Sequence, residues 1–193
     1  MSLAESFFEN WCNIIEKRND EVNQYWCNTK EYTNFIIHAK NSVLMDVAKL
    51  LGLHCYNGDY YYLDSVLYEE PDYIKDFPHQ CYLTHIRIAF EHENDFKSGL
   101  YQEVSHLLLI NSELKVVVSY PPSESAEAAE LKYLHGIISS SPIADNLSDR
   151  QGFLFIMGHV NPYKWVAWVY HKSDWKKLLT SGCNWYQLGL FNS

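Results

Sequence analysis

Apolar residues recur at helical spacing through the first quarter of the chain. Their spacing predicts an amphipathic helix over residues 3–18, followed by a polar break at 19–24. The next periodic run predicts a helix over 31–51, which Thr29 caps and Gly52 ends. Two helices therefore precede the first predicted strand.

The pattern then changes to short runs rich in aromatic and β-branched residues. Residues 54–68 contain the pair Asn57–Gly58, which favours a tight turn between two strands, and the second strand carries Asp64. Residues 81–94 predict a further long strand. Beyond it the pattern predicts a helix over 96–111, a strand over 114–120 and a helix over 123–138.

The C-terminal third predicts a loop and a hairpin. Residues 139–150 carry Ser, Pro and Asp and read as a loop, and two apolar runs flank Asn161–Pro162 as a terminal hairpin. The last twenty residues have no clear pattern. This order of elements predicts an α/β fold, in which a mixed central β-sheet is flanked by helices, as a single domain over residues 1–193.

Net charge and hydropathy limit the classes of partner that the chain is expected to bind. The formal net charge is −9, which argues against generic binding of nucleic acid through phosphate neutralisation, unless basic residues gather on one face or a metal ion supplies positive charge. No stretch approaches the roughly 18 apolar residues of a spanning helix, and the N-terminus lacks the pattern of a signal peptide. No membrane association is therefore expected.

The cysteines suggest a compartment. There are five, the count is odd, no CxxC occurs, and none pairs with a histidine at zinc-finger spacing. Scattered cysteines of this kind are typical of reduced core residues. We therefore expect a reducing compartment and a cytoplasmic location.

The segment from Phe90 to Asn94 carries candidate chemistry. Side chains alternate faces along a strand, so Glu91 and Glu93 point the same way, whereas Ile88 and Phe90 face the core on the opposite side. If the preceding strand pairs with this one, Asp64 can lie beside Glu91. Three close carboxylates repel one another, so one must be protonated or the group must bind a cation such as magnesium.

This order of acids and elements resembles the PD-(D/E)XK nuclease superfamily, the restriction-endonuclease-like proteins. An acid on one strand, an acid-x-acid at the end of the next, and then a helix and a strand match its pattern over about residues 30–120. The segment Glu91–Asn94, followed by Glu103 and the strand with Lys115, also resembles a set of uncharacterised bacterial proteins built on this core. The N-terminal helix and the C-terminal hairpin are then appended to the core.

The resemblance implies a nuclease site that holds magnesium or manganese. Asp64 and Glu91 match the two metal-binding acids, and Glu93 stands where the family usually has Lys, a departure shared by a minority of type II restriction endonucleases. Glu93 would then act as general base on the attacking water or as a further metal ligand. Lys115 could supply the missing positive charge. The implied activity is metal-dependent hydrolysis of a phosphodiester in nucleic acid.

Each candidate also has an ordinary structural interpretation. Asp64 could be an exposed acid at a strand end, and Glu91 and Glu93 a solvated edge leading into a helix. Lys115 could extend along the protein surface to reach water from its strand end. Glu103 and Lys97 are weaker candidates for the site, since the first is predicted on the polar side of its helix.

Other classes remain open or are disfavoured. Nine histidines form no HExxH, and the chain contains no P-loop, no GxGxxG and no GxSxG, which argues against zinc hydrolases, nucleotide folds and serine hydrolases. The alternative is a nuclease-like scaffold that no longer cuts and that binds protein or nucleic acid. The terminal aromatic hairpin could stack bases, although packing on the core or in a homodimer is preferred; its aromatic residues are Phe153, Phe155, Tyr163, Trp165, Trp168 and Tyr170.

Overall fold

The central feature of the fold is one mixed β-sheet. The computed structural model describes residues 1–26, 29–76, 81–97, 99–160 and 163–179. The sheet has seven strands, and their order in space follows their order in the chain. They are β1 (His54–Tyr56), β2 (Ser65–Tyr68), β3 (Ile86–Glu93), β4 (Ser112–Ser119), β5 (Phe153–Val160), β6 (Tyr163–Val169) and β7 (Lys176–Leu178). The predicted fold class, a mixed sheet flanked by helices, is confirmed.

Helices connect and cover this sheet. They are α1 (Leu3–Lys17), α2 (Asn19–Tyr25), α3 (Thr29–Thr33), α4 (Val43–Leu50), α5 (Leu100–Leu109), α6 (Glu124–Ser139) and α7 (Ala144–Arg150). A π-helical turn, Asn34–His38, continues α3, and a 3₁₀ turn covers Glu70–Asp72. Strands β3, β4 and β5 run parallel, so each successive pair needs a crossover, which α5 supplies first and then α6 with α7. The outer strands are antiparallel to their neighbours.

Two hydrophobic cores lie on the two faces of the sheet. On one face α1 and α4 pack against alternate residues of the central strands, where the rings of Trp11 and Phe90 lie 6.1 Å apart. On the other face α5 and α6 share a core with Ala89 and Val117. Alternation along β3 therefore directs Glu91 towards the face that α5 covers.

The N-terminal helices divide more finely than their apolar pattern predicts. The polar break expected at 19–24 is the short helix α2, and the single helix expected over 31–51 is two helices. Ala39 adopts an extended conformation, with φ −64° and ψ 148°, and ends the first of them. Ser42 then caps α4 by accepting a hydrogen bond of 3.2 Å from the amide of Met45.

Two further local predictions are wrong. Residues 144–150 form helix α7 rather than a loop, because Ala144 and Leu147 bury one short apolar side. The turn between β1 and β2 does not form at Asn57–Gly58, whose asparagine amide instead donates to the carbonyl of His38. The turn of the terminal hairpin, Asn161–Pro162, lies outside the described residues.

Cysteine pairing departs from expectation at one position. Cys55 and Cys81 are free thiols. Cys12 is disulfide-bonded, so the prediction of a reduced thiol is wrong there, and Cys27 and Cys183 lie outside the described residues. In the part of the chain that the structure describes, no helix is long and apolar enough to cross a membrane.

Candidate metal centre

The pairing of β2 with β3 sets Asp64 beside Glu91. The two strands are antiparallel with Ser65 opposite Phe90, so the residue before β2 falls opposite Glu91. The amide of Asp64 donates to Oε2 of Glu91 over 3.2 Å, and Oδ2 of Asp64 accepts from the amide of His92 over 2.8 Å. Main-chain pairing thus brings together the two acids that the sequence singled out.

Glu91 is the most deeply buried acid of this group. Only 2% of the residue is exposed, and its Oε1 has no hydrogen-bond partner among the described residues. Burial, together with the nearby carboxyls of Asp64 and Glu103, raises the pKa of Glu91 to about 9. Without a bound cation, Glu91 is therefore protonated at neutral pH.

The titration of Asp64 is coupled to that of Glu91. Burial raises the pKa of Asp64, and the hydrogen bond from the amide of His92 opposes that rise. The two carboxyls therefore titrate as a coupled pair, and the pKa values of both are raised.

Glu93 points to the same side but turns towards the loop after β3. Its Oε1 accepts from the amide of Asp95 over 2.6 Å. Burial raises the pKa of Glu93, the amide of Asp95 opposes this, and the charges of Asp95 and Asp64 add to the rise. Glu93 is half-buried and electrostatically coupled to Asp64, as a third acid of one cluster.

Helix α5 adds two residues to this cluster. Glu91, Glu103 and His106 each present one potential ligand atom, and these atoms lie within 4.8 Å of one another. The Nδ1 atom of His106 lies 3.7 Å from Oε1 of Glu91, the oxygen for which the described part of the chain supplies no hydrogen bond. Burial raises the pKa of Glu103, and the charges of Asp64 and Glu93 add to it. Glu103 therefore belongs to the cluster rather than to a solvated helix face.

The sequence contained a partial signal for this pair. Glu103 and His106 stand three positions apart, so they share one side of α5. They lie beside the stripe of Leu100, Val104 and Leu107 that packs on the sheet. The apolar periodicity of the sequence predicts Glu103 on the solvated side of its helix, and no motif in the sequence points to His106.

Lys115 lies away from the carboxylates. It is 2% exposed, and its ammonium donates to the carbonyl of Ile110 over 2.8 Å and to Oγ of Ser112 over 3.0 Å. Burial lowers the pKa of Lys115 to about 8. These contacts hold the side chain at the C-terminal end of α5, and neither of them involves the acid cluster. Lys97 is exposed, and its amide donates to Asp95.

His92 and Asn94 face the opposite side of the sheet, as strand alternation predicts. The Nε2 atom of His92 lies 2.7 Å from the hydroxyl of Tyr120, and the amide of Asn94 donates to Thr33 over 2.6 Å. Complete burial lowers the pKa of His92 to about 3, so this ring is neutral. Both residues serve packing around α3 rather than the cluster.

The terminal aromatic hairpin packs mainly on the core. Phe153, Phe155, Trp165 and Tyr170 are buried, which agrees with the structural interpretation of these rings. Trp168 is half-buried, and its indole donates to Glu127 over 2.7 Å. The side chain of Tyr163 lies outside the described residues.

Among the described residues, the one group of ligand atoms close enough to share an ion comprises Glu91, Glu103 and His106, and it includes neither Asp64 nor Glu93. Asp64 precedes β2, Glu91 and Glu93 belong to β3, and Glu103 and His106 belong to α5. The pKa values of these carboxylates are all raised. A divalent cation would neutralise their negative charges more fully than sodium or water. In comparisons with known proteins, no protein-family model and no curated protein matches this chain.

Proposed function

We propose that this protein is a metal-dependent nuclease, which hydrolyses phosphodiester bonds in nucleic acid at the Asp64–Glu91 cluster. One observation carries the proposal. Glu91 has a buried oxygen without a hydrogen-bond partner among the described residues, and that oxygen faces His106 and Glu103. A buried carboxylate oxygen left in this state is costly unless a proton or a cation occupies it.

The residues divide into binding and proton-handling roles. Glu91, Glu103 and His106 would hold magnesium or manganese, and Asp64, whose amide is hydrogen-bonded to Glu91, would add a further carboxylate beside them. A divalent cation supplies polarisation of a phosphoryl oxygen and a lowered pKa for a bound water. Glu93, which is half-buried and keeps one oxygen on the amide of Asp95, orients the attacking water and accepts its proton.

The order of elements supports membership in the PD-(D/E)XK superfamily as part of the same proposal. The acid before β2, the acid-x-acid at the end of β3, the crossover helix α5 and the parallel strand β4 follow in the order that the resemblance implies. Glu93 then replaces the usual lysine. On this proposal the domain is a variant whose basic residue has been exchanged for a further acid.

A second candidate is a nuclease-like scaffold that binds but does not cut. The position of Lys115 favours it, because its ammonium is held by Ile110 and Ser112 rather than by the acids. A site made of acids with one imidazole has less positive charge to stabilise a phosphorane-like transition state. The two candidates share a metal site and differ in turnover.

Calorimetry and cleavage assays on the same samples separate these candidates. Magnesium and manganese are titrated into wild type, Glu91→Ala and the surface control Glu9→Gln, and each protein is then incubated with plasmid and with single-stranded DNA. The nuclease proposal expects binding heat and cleavage in wild type and the control, and neither in Glu91→Ala. Heat without cleavage supports the scaffold, and an absence of heat in wild type refutes both.

We also propose a cytoplasmic location, which the redox state of Cys12 tests. The scattered cysteines favour a reducing compartment, whereas the disulfide at Cys12 favours an oxidising one. Cells are quenched in acid, the protein is denatured, and free thiols are alkylated and mapped by mass spectrometry. Alkylation of all five cysteines supports the cytoplasm, and a protected Cys12 contradicts it.

A further inference from the structure

The loop between β1 and β2 contains a tight turn whose two central residues are tyrosines. Tyr60 and Leu63 exchange backbone hydrogen bonds of 3.0 and 3.2 Å, so they close a two-residue turn. The central residues Tyr61 and Tyr62 have φ values of +55° and +69°. Two successive positive φ angles define the type I′ geometry, which normally selects Asn-Gly.

This turn is strained by its sequence. Bulky L-residues avoid the left-handed region because Cβ approaches the backbone carbonyl. Within the described residues, Gln151 is the one other non-glycine residue with positive φ. The chain has Asn57–Gly58 a few positions earlier and does not use that pair for the turn. An outlier of this kind, held beside a candidate site, points to a role for the side chains themselves.

The base of the turn is anchored, whereas its tip is open. Oδ1 of Asp59 accepts from the amide of Tyr62 over 2.7 Å, and the hydroxyl of Tyr60 accepts from the amide of Leu83 over 3.2 Å. Tyr60 and Leu63 are buried. In contrast, Tyr61 is 66% exposed and Tyr62 is 84% exposed. The strain is therefore not offset by burial of these two rings.

The tip lies directly before the metal-binding acid. Asp64 follows Leu63, and its carboxylate is fixed to the amide of His92 at the end of β3. Tyr62 stands two positions before that acid, at most about 7 Å away along the backbone, so a polymer bound there can reach the turn. We propose that Tyr61 and Tyr62 form a stacking platform for the bases of single-stranded nucleic acid, an inference that rests on the proposed nuclease function.

The charge of the chain favours stacking on this platform over phosphate contacts. With a net charge of −9, the chain has little to gain from the counterion release that drives binding to duplex DNA. Stacking on aromatic rings is independent of charge and of sequence, and it needs bases that are not already stacked in a duplex. The expected ligand is therefore single-stranded, and added salt should not weaken its binding, because salt screens the repulsion between its phosphates and the acidic chain.

The turn offers variants that separate stacking from folding. Tyr61→Asn combined with Tyr62→Gly installs the residues that type I′ turns prefer, so it should raise the melting temperature while it removes both rings. Tyr61→Phe combined with Tyr62→Phe keeps the rings and is the matched control. Binding is measured by the fluorescence of a single-stranded DNA that contains one 2-aminopurine, with calcium as the divalent ion and with intact DNA verified on a gel.

The inference expects wild type and the Phe variant to quench the probe with the same affinity. The Asn-Gly variant should be more stable and should bind about 5- to 100-fold more weakly, as the loss of one or two stacked bases implies. Equal affinity of the Asn-Gly variant, or a lowered melting temperature, would overturn the inference, since the tyrosines would then be dispensable or structural.

Cleavage with manganese, measured separately, distinguishes this failure from failure of the proposed function. If the Asn-Gly variant cleaves as fast as wild type, the stacking platform alone is contradicted. If binding depends on Tyr61 and Tyr62 but wild type does not cleave, the catalytic proposal is contradicted and the stacking platform is retained. If wild type neither binds nor cleaves, both proposals fail.

Discussion

The amide of Asp64 donates a hydrogen bond to Oε2 of Glu91 over 3.2 Å. This bond belongs to the main-chain register of β2 and β3, in which Ser65 lies opposite Phe90. The position of the first acid relative to the second is therefore set by strand pairing rather than by the charges of the side chains. It follows that a neutral substitute of the same shape at position 91 should fold with the cluster geometry retained.

Glu91→Gln should stabilise the metal-free protein at alkaline pH. Folding raises the pKa of Glu91 from 4.5 to about 9, so the folded state binds more protons than the unfolded state between these values. The contribution of Glu91 to stability is complete below pH 4.5 and is lost as the pH rises towards 9. At pH 8.5 the glutamine variant should be about 1–3 kcal/mol more stable to unfolding, because its neutral amide is buried without proton uptake, whereas Glu91 must take up a proton on folding.

Urea unfolding from pH 5 to pH 9, in EDTA, measures this effect. Wild type should lose stability with rising pH more steeply than Glu91→Gln. Some slope should remain in the variant, because the pKa values of Asp64, Glu93 and Glu103 are raised as well. The exposed control Glu9→Gln should follow wild type, and parallel slopes for all three proteins would contradict the argument.

His106→Ala should change which metal the protein prefers. The imidazole nitrogen lies 3.7 Å from Oε1 of Glu91, and nitrogen ligands favour manganese over magnesium. We expect the variant to lose about tenfold or more in manganese affinity, with a smaller loss for magnesium. Calorimetric titration of both ions measures the two losses.

His54→Ala provides the control for His106, because His54 is exposed and lies on the outer strand β1. It should bind both metals as wild type does. Equal losses for magnesium and manganese in His106→Ala would show that the imidazole supports the site indirectly and does not reach the ion.

The two strand acids could be found from the sequence, but the helical ligands could not. The period of two along β3 separates Glu91 from Phe90, and an antiparallel neighbour brings in Asp64. Glu103 and His106 depend on which side of α5 meets the sheet, and that is set by the crossover from β3 to β4 and by burial of Val104. A spacing of three residues along a helix does not show which element that side of the helix contacts.

Predictions from local propensity were wrong where tertiary contacts or strain determined the backbone conformation. Asn57–Gly58 has strong turn chemistry, but hydrogen bonding to His38 holds the asparagine, and the turn forms at Tyr61–Tyr62 instead. The long helix expected over 31–51 divides because Ser42 can cap a new helix at Val43. The apolar pattern nevertheless placed every strand of the parallel centre.

Lys115→Met should test whether the buried lysine serves folding or catalysis. Burial lowers the pKa of Lys115 to about 8, so between pH 8 and 10.5 the folded state binds fewer protons than the unfolded state, and this residue makes stability rise with pH. The variant should lose that rise, as urea unfolding across the window would show. Because the ammonium binds Ile110 and Ser112, cleavage at pH 7 should persist.

A loss of cleavage in Lys115→Met at unchanged stability would reverse this assignment. It would return Lys115 to the catalytic role that the resemblance implies. If stability and cleavage both fall, cleavage is measured on the soluble, folded fraction alone. The specific activity per folded molecule then decides between the two roles.

Glu127 joins α6 to the terminal hairpin through buried hydrogen bonds. One of its oxygens lies 2.5 Å from Nε2 of His159 on β5, and the other accepts from the indole of Trp168 on β6. Glu127→Ala should therefore destabilise the fold by about 3–5 kcal/mol, since it leaves the buried His159 and the half-buried indole of Trp168 without this partner. Glu124→Ala on the same helix should cost about 0–1 kcal/mol, because Glu124 is exposed and pairs with Lys164 at the surface.

A double-mutant cycle decides whether these bonds act as a unit. If they do, Glu127→Ala combined with His159→Ala should cost less than the sum of the two single variants, by about 0.5–3 kcal/mol in urea unfolding, because the second substitution removes a group that the first has already left unpaired. Strict additivity would mean that the 2.5 Å contact contributes little beyond packing of the two side chains. Glu124→Ala combined with His159→Ala should be additive, since Glu124 is exposed and its ion pair is with Lys164 rather than with this histidine.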